Sequence, residues 1–384
     1  MREKCLKYTA IVIMIMIFGI AIFYGKGAVR SAAHCLQLRK EGNTLEMVFY
    51  DFSNSYKSEL TNSRFWINMY GGIQKLLGKR EIKNFSVIRD KEGGLYSSIG
   101  SYTDQMISDS FEDIKRIYEK TAELEGDFLF VQMPYKSFAA APELRTYKMD
   151  YTDDNFDRLY AKIEDGNIPA IDLRKLQTKW EYYKTDHHWT AESAFIASSY
   201  IIEGLNTRYH LRLDEKNLYR KRENYNTKVY KDALLGSGGI EVGEYYSGRD
   251  DVSIPVPKFE TSLQWEHYIQ GNKTAETSGT FWEAFIDETI LNESSYCNKY
   301  NAFLNGGYYE NRICNDLADN NRKLLLVTNS YGRPLVQYLS LYFKETRYLD
   351  PQPERYNGNY LEYIEEYKPD VVVVMYDDRI NTQE

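Results

Sequence analysis

One short stretch, residues 323–334, limits the fold more than any other part of the chain. Residues 324–327 form an unbroken apolar run, which is typical of a strand buried on both faces. Gly332 then allows a sharp turn, Pro334 suits the first turn of a helix, and apolar residues recur after it at helical spacing. The stretch therefore predicts a strand, a turn and a helix, with Ser330 in the turn. Open α/β sheets bind ligands at the carboxyl ends of their strands, and the N-terminus of a helix there favours negative charge. Ser330 lies at such a position and is therefore a candidate nucleophile.

The remainder of the chain alternates helical patterns with short apolar runs. The strongest signal for a buried strand is the run at residues 371–375, which follows a helical pattern at residues 360–367. Together with residues 324–327, this order of strand, helix and strand predicts a parallel sheet in an α/β domain. Further helices are predicted at residues 104–125, 155–163 and 191–205, and further strands at residues 128–131 and 168–173.

Residues from about 206 to 320 have a different character. They are rich in Tyr, Asn, Ser, Thr and Gly and contain few long apolar runs. Pro255 and Pro257 exclude their segment from a central strand, because proline cannot donate to a sheet ladder. This region is predicted to be a β-rich, loop-heavy insertion in the same domain.

The N-terminus carries an export or membrane signal. Arg2, Lys4 and Lys7 precede an uninterrupted apolar run at residues 10–24. The run is shorter than the roughly 20 residues of a comfortable membrane span. We expect an uncleaved anchor, with a cleaved secretory signal as the first alternative and a buried core helix as the second. The predicted organisation is an anchor over residues 1–30, a stalk and cap over residues 31–80, and the α/β domain over residues 81–384.

Composition excludes some partners and gives few constraints on disulfides. The 384 residues carry a net charge of −8 and the sequence pI is about 5.4, which argues against a nucleic-acid partner. Four cysteines are too few for a disulfide framework, although Cys297 and Cys314 could form a bridge just before Ser330. The 35 tyrosines could stack on sugar rings or could be ordinary amphipathic surface residues.

A serine nucleophile needs an imidazole base and a carboxylate to orient that base. Only five histidines are present, and two of them, His187 and His188, follow Asp186 directly. If the backbone is extended there, Asp186 and His188 point to the same side and His187 points away, because side chains alternate along a strand. The sequence therefore selects His188 as the base and Asp186 as its orienting carboxylate.

Three other interpretations of these residues stay open. Ser330 could be an ordinary turn residue, and Asp186 could simply start a turn before the helix at residues 191–205. The paired histidines could also bind zinc, but the chain shows no third ligand at a suitable spacing. We predict no metal and no cofactor.

These residues also carry a family resemblance. Residues 185–190, Thr-Asp-His-His-Trp-Thr, with a strand followed by Ser-Tyr-Gly far downstream, resemble the DHHW family of Gram-positive bacteria. That family is similar to the alginate O-acetyltransferases, so the resemblance implies a three-layer, permuted SGNH-hydrolase-like fold over about residues 65–380. It also implies that Asp186, His188 and Ser330 form the catalytic triad. Residues 134–136, 236–243 and 300–306 look like family segments as well.

One residue departs from the family pattern. Related sequences usually carry Asp-Ser at the nucleophile, and this chain carries Asn329 before Ser330. Asparagine can form similar side-chain bonds to the backbone and tolerates left-handed conformations, so we expect the turn to be kept. Its effect on activity does not follow from the sequence.

The sequence and the resemblance together predict an extracytoplasmic serine acyltransferase. Its expected reaction is the O-acetylation of a cell-wall or exported polysaccharide, with an acyl donor as the second substrate. The resemblance further suggests a membrane protein that supplies the acetyl group. The expected location is the cell membrane, with the domain outside and a single N-terminal anchor, or secretion if the signal is cleaved. The alternatives are a carbohydrate acetyl esterase with the same site, or a non-catalytic glycan-binding or assembly protein. The candidates for substrate binding or for the oxyanion hole are Lys136, Asn329, Tyr331, Tyr376 and Arg379.

Overall fold

The computed structural model of the chain describes residues 64–293, 298–353, 355–376, 380 and 382. The chain divides into two compact units, residues 1–70 and 71–384, and the second unit contains every strand of the described residues. The predicted anchor, Cys297 and Arg379 lie outside the described residues, so the anchor and the Cys297–Cys314 bridge stay predictions. Among the residues that are described, no helix is long and apolar enough to cross a membrane.

The α-helices and strands alternate over residues 104–209 and 323–375, as the apolar patterns predict. The helices are α1 Arg64–Leu76, α2 Asp104–Glu123, α3 Thr152–Asp165, α4 Ala191–Tyr209, α5 Ser237–Val242, α6 Glu244–Ser247, α7 Phe281–Phe285, α8 Glu288–Asn292, α9 Gly332–Leu339 and α10 Tyr360–Tyr367. The strands are β1 Glu81–Ile82, β2 Val87–Arg89, β3 Leu95–Tyr96, β4 Asp127–Gln132, β5 Ala170–Asp172, β6 Tyr225–Leu234, β7 Asp250–Pro257, β8 Leu263–Ile269, β9 Asn272–Gly279, β10 Glu310–Asn315, β11 Lys323–Thr328, β12 Glu345–Leu349 and β13 Val371–Met375.

The central sheet is mixed, which corrects the prediction of a parallel sheet. Its strand order is β5-β4-β13-β11-β12-β10-β8-β9. The first five strands pair in parallel, whereas β10, β8 and β9 pair antiparallel. The antiparallel strands come from the region predicted as an insertion. They continue the main sheet, because a strand with one polar face can still complete a ladder at a sheet edge.

Helices cover both faces of the parallel half of the sheet, which gives the three layers that the resemblance implies. Side chains alternate along the buried strands, so each strand contributes to two cores. One core packs against α4 and α9 and includes Leu129, Leu324 and Leu326. The other packs against α2, α3 and α10 and includes Phe128, Leu325 and Val372.

The two smaller sheets lie outside the central one. Strands β6 and β7 form a two-stranded antiparallel sheet that contains Pro255 and Pro257, as expected for a segment that cannot be a central strand. Strands β1, β2 and β3 form a three-stranded antiparallel sheet, and a turn at residues 91–93 connects β2 to β3.

The sheet order brings three strand ends together. Strand β13 lies between β4 and β11, and all three run in the same direction. Their carboxyl ends therefore meet at one edge, so the segment after β4, which carries Lys136, lies on the same edge as the turn that carries Ser330. This edge is where α/β sheets place their ligands.

Removing a side chain from the middle of this sheet should destabilise the whole domain. Leu326 is fully buried in β11, whereas Leu317 is 46% exposed. Because the cavity adds to the lost burial, we expect Leu326→Ala to lower the free energy of unfolding by about 2–5 kcal/mol. Leu317→Ala should change it by about 0.5 kcal/mol or less. Chemical denaturation of both variants measures this, and equal effects would contradict the assigned core.

Candidate active site

The turn that carries Ser330 is built by its neighbours. A Cβ atom on Gly332 would lie 2.2 Å from the Thr328 side chain, so only glycine lets α9 begin this close to the end of β11. The Asn329 side-chain oxygen accepts a hydrogen bond from the Tyr331 amide at 3.1 Å. The Asn329 carbonyl accepts one from the Gly332 amide at 2.8 Å. Asparagine thus makes the side-chain bond to the backbone that the sequence predicts at this position.

Residues 183–188, here called the histidine loop, do not have the extended backbone that the sequence argument assumed. Tyr182 and Trp189 form an isolated antiparallel bridge, and the residues between them form bends rather than a strand. Asp186 still meets His188, because its carboxylate accepts from the His188 amide at 3.0 Å and from His188 Nδ1 at 2.5 Å. The predicted pairing of Asp186 with His188 is therefore present. It results from the bent backbone of this loop and not from the alternation of side chains along a strand.

The three candidate catalytic residues form one continuous hydrogen-bonded chain. His188 Nε2 lies 2.7 Å from Ser330 Oγ. Asp186 Oδ2 accepts a further hydrogen bond from the Ser237 amide at 2.6 Å, which fixes the carboxylate at both oxygens. The arrangement suits proton transfer from Ser330 to His188, with Asp186 orienting the ring.

The charges of the buried pair are set by their surroundings. Burial by itself would raise the pKa of Asp186, but the hydrogen bonds from His188 Nδ1 and from the Ser237 amide hold that pKa well below its usual range. Burial and the neighbouring His187 lower the pKa of His188, against the attraction of Asp186. At neutral pH the pair is therefore a carboxylate and a neutral imidazole. This is the state in which His188 Nε2 can accept a proton.

Two oppositely charged side chains hold the histidine loop in place. The Lys136 ammonium group donates to the carbonyls of Tyr183, Lys184 and Asp186 at 2.5, 2.9 and 2.8 Å. The buried Asp250 carboxylate accepts from the amides of Lys184 and Thr185 at 2.7 and 2.8 Å and from the Thr185 hydroxyl at 2.6 Å. These two residues satisfy backbone groups that the loop buries, which a chain in this position requires.

Aromatic rings fix the plane of the His188 imidazole. The Tyr300 ring stacks on it at 3.8 Å between centroids and 14° between planes. The guanidinium of Arg333, a buried residue in the first turn of α9, lies 5.0 Å from the centre of the Tyr300 ring. Arg333 also donates to the Asn301 side chain at 2.8 Å and to the Tyr308 hydroxyl at 3.0 Å. The segment around Tyr300 is thereby attached to the helix that follows the nucleophile.

Tyr331 and Trp189 connect the two halves of the site. The Trp189 indole donates to the Tyr331 carbonyl at 3.0 Å, and the Tyr331 hydroxyl donates to the His187 carbonyl. The histidine loop and the nucleophile turn are therefore joined by side-chain bonds in addition to the contact of His188 with Ser330.

One amide of the turn is free to bind an oxyanion. The Tyr331 and Gly332 amides are already bonded to Asn329. Within the described part of the chain, the Ser330 amide has no acceptor. It is thus the donor that can stabilise negative charge developing on a carbonyl oxygen during attack by Ser330.

The other predicted site residues differ in their surroundings. Lys136 lies at the same sheet edge as Ser330, and its ammonium group binds three carbonyls of the histidine loop. The Tyr331 amide is occupied by Asn329, so it is not an oxyanion donor. Tyr376 packs into the core on the sheet face opposite Trp189 and Tyr331. Arg379 lies outside the described residues.

Several supporting residues were not predicted from the sequence. Asp250 reaches the histidine loop from a segment interpreted only as insertion, and Ser237 reaches it from a segment that resembles the family but was assigned no role. Tyr300 belongs to a segment that resembles the family, but the resemblance assigns it no role. Arg333 was visible as a cation three residues after Ser330. Its burial, which is what distinguishes it from an exposed arginine, does not follow from that spacing.

Asp186, His187 and His188 also lie close enough together to be considered as ligands of one metal ion. Each offers one ligand atom, and these atoms lie within 4.8 Å of one another. The Asp186 and His188 atoms are already engaged in the short bonds of the hydrogen-bonded chain that ends at Ser330. A metal ion would have to break those bonds, so the donor set fits proton transfer better than metal binding.

Comparisons with known proteins identify the type of fold. Residues 87–236 match a family model described as an SGNH hydrolase-like domain, acetyltransferase AlgX. The fold is SGNH hydrolase-like. The matched residues include Lys136, Asp186 and His188 and end before Ser330, which the fold brings to them. No curated protein matches the chain significantly in sequence.

Solved structures share this SGNH-like fold. Bacillus cereus PatB1, in a structure with a sulfonyl adduct, is 19% identical with a TM-score of 0.60, covering 77% of this chain and 95% of PatB1. A DHHW family protein from Eubacterium siraeum is 15% identical with a TM-score of 0.53, covering 76% of this chain and 89% of that protein. The predicted resemblance to the DHHW and alginate acetyltransferase type is confirmed.

The SGNH-like site should be sensitive to one glycine. A Cβ atom on Gly236 would lie 2.3 Å from the Asp186 Cβ, whereas one on Gly100 would have no neighbour within 4 Å. We expect Gly236→Ala to displace Asp186 and to lower kcat/KM about a hundredfold, because small misplacements of catalytic groups cost that much. Gly100→Ala should keep full activity. Ester hydrolysis by a folded Gly236→Ala variant at the wild-type rate would contradict the role given to Asp186.

Lys136 should give stability a specific pH dependence. Burial lowers the pKa of Lys136 to about 8 from its ordinary 10.5, although Asp186, Asp250 and Asp90 oppose the shift. Burial of the charged ammonium group therefore lowers the free energy of unfolding in full below pH 8, and this destabilisation disappears as the pH rises to 10.5. The free energy of unfolding of the wild type, relative to Lys136→Met, should increase by roughly 3 kcal/mol across that window. Denaturation of both proteins between pH 7 and 10.5 measures the difference, and parallel curves would refute it.

Proposed function

We propose that the domain is a serine acyltransferase that O-acetylates a polysaccharide. The observation that carries the proposal is the hydrogen-bonded chain from Asp186 through His188 to Ser330, with a free amide at the nucleophile. The family model that matches residues 87–236 is described as an acetyltransferase domain, which supports acetyl as the group that is moved.

The first half of the reaction acylates the enzyme. His188 Nε2 accepts the proton of Ser330 as Oγ attacks the carbonyl carbon of the acyl donor. The negative charge that forms on the carbonyl oxygen is stabilised by the Ser330 amide and by the amino end of α9. Collapse breaks the bond to the leaving group, which takes the proton from His188, and leaves an acetyl ester on Ser330.

The second half transfers the acetyl group. A sugar hydroxyl loses its proton to His188 and attacks the acetyl-serine carbonyl carbon. The bond to Ser330 Oγ breaks, and the serine takes the proton back from His188. Water at the position of the sugar hydroxyl would produce an acetyl esterase from the same groups, so access of the acceptor decides between the two activities.

The location belongs to the same proposal. The basic start and apolar run at residues 1–30 support a membrane anchor, with the domain on the outside of the membrane. A protein there lies next to cell-wall and exported polysaccharides. A membrane partner that supplies acetyl groups fits this position.

The test separates the nucleophile and the base from the rest of the domain. The full chain is given 4-nitrophenyl acetate as donor and chitopentaose as acceptor, and nitrophenolate release and acetylated sugar are measured together. Ser330→Ala and His188→Ala should each lose at least about a thousandfold in turnover. Ser101→Ala, a change at an exposed loop serine, should behave as the wild type.

The outcomes are distinct. Acetyl groups appearing on the sugar support a transferase, and acetate released to water in the presence of the sugar supports the esterase. Equal turnover in the wild type and in both active-site variants would reject the catalytic assignment. Turnover by none of the proteins, with binding of the sugar, would favour a glycan-binding protein.

A further inference from the structure

A cleft lies beside the Asp186 end of the catalytic chain. It has a volume of about 280 Å³, and its lining includes Asp186 and His187 from the histidine loop and Tyr135 from the segment after β4. The Tyr135 hydroxyl accepts a hydrogen bond from the Asn329 side chain at 2.8 Å, and its ring lies 4.7 Å from that of Tyr331. One wall of the cleft is therefore in contact with both neighbours of Ser330.

The walls of the cleft combine apolar and hydroxyl-bearing groups. Leu95 and Ile99 contribute aliphatic surface, and Tyr96 and Tyr135 contribute rings. Ser97 and Ser237 place hydroxyls among them. A sugar ring has an apolar face that packs on such surfaces and an edge of hydroxyls that need hydrogen-bond partners, and small-molecule sites have this mixed character. The volume suits a single ring.

The charges of the lining favour a neutral sugar. Lys136 reaches the cleft, but its ammonium group is already bonded to three carbonyls of the histidine loop. Asp186 is bonded to His188 and to the Ser237 amide. Glu241 adds a second carboxylate, which pairs with Lys83 at 3.3 Å. Among the described residues of the lining, none offers a free cation, so the carboxylate of an acidic sugar would be desolvated without a partner there.

His187 is a partly exposed polar group of the cleft, and it lies beside the catalytic base. Its ring lies 3.9 Å from that of His188, and its side chain is about half exposed. Nδ1 lies 3.1 Å from the Ser237 hydroxyl, and Nε2 has no protein partner in the described part of the chain. A group in this position can bind a hydroxyl of a molecule held in the cleft.

We propose that this cleft is the acceptor subsite, and that it binds a neutral pyranose ring through Tyr96, Tyr135 and His187. The inference rests on the proposed function and adds the class of acceptor to it. The bound ring presents one hydroxyl to the acetyl group on Ser330. Occupation of the cleft by sugar also limits the access of water to that ester.

The test fills the cleft from its exposed side. Ser97 lines the cleft at an exposed position, and Ser101 is an equally exposed loop serine outside the lining. With 4-nitrophenyl acetate as donor and chitopentaose as neutral acceptor, we expect Ser97→Phe to lower the ratio of transfer to hydrolysis at least tenfold. Ser101→Phe should leave the ratio as in the wild type. An unchanged ratio in Ser97→Phe overturns the proposal.

Comparison of an acidic acceptor with a neutral one tests whether the cleft favours neutral sugars. A pentamer of galacturonic acid should be acetylated at least tenfold more slowly than chitopentaose by the wild type. Equal transfer to the two pentamers overturns the assignment to neutral sugars.

A failure of the cleft and a failure of the catalytic assignment can be told apart. If the wild type shows no turnover that depends on Ser330, the proposed function has failed, and calorimetric binding of chitopentaose decides the subsite alone. Binding by the wild type with at least tenfold weaker binding by Ser97→Phe supports the subsite. Equal binding by both proteins, or binding by neither, overturns it.

Discussion

The site depends on the two charged side chains that fix the histidine loop. A buried loop must have its backbone donors and acceptors satisfied, and this loop has no regular ladder to do so. Lys136 binds three of its carbonyls and Asp250 binds two of its amides. The Lys136 cation binds carbonyl groups and the Asp250 carboxylate binds amide groups, so the two side chains together stabilise one conformation of the loop. In that conformation Asp186 and His188 form the hydrogen-bonded chain to Ser330.

In the turn that carries Ser330, neutral side chains form hydrogen bonds that hold the backbone in place. Asn329 binds the Tyr331 amide through its side-chain oxygen and the Tyr135 hydroxyl through its side-chain nitrogen. An aspartate could make the first bond, but it would place a negative charge beside the carbon that Ser330 attacks. Asn329 therefore keeps the side-chain bond that holds the turn without adding a charge next to Ser330.

The buried strands and the three candidate catalytic residues could be predicted because their sequence signals are local. Buried runs such as residues 324–327 and 371–375 mark their strands directly, and the rarity of histidine selects the pair His187 and His188. The choice of His188 within the pair depended on an extended backbone, which the structure does not show. Strand β12 was missed because Glu345 and Arg347 interrupt its apolar residues. Because the antiparallel strands likewise carry one polar face, the sequence pattern did not place them in the central sheet. Asp250, Ser237 and Tyr300 reach the site through long-range packing, which single-sequence patterns do not encode.

The central claim is that Ser330 carries the acyl group between donor and acceptor. The direct measurement is to mix the full chain with 4-nitrophenyl acetate, stop the reaction with acid within the first turnover, and locate the acetyl group by peptide mass spectrometry. The account predicts an acetyl group on the peptide that contains Ser330 in the wild type and its loss in His188→Ala. Rapid turnover with no acetyl group on that peptide, or the same labelling in both proteins, would contradict it.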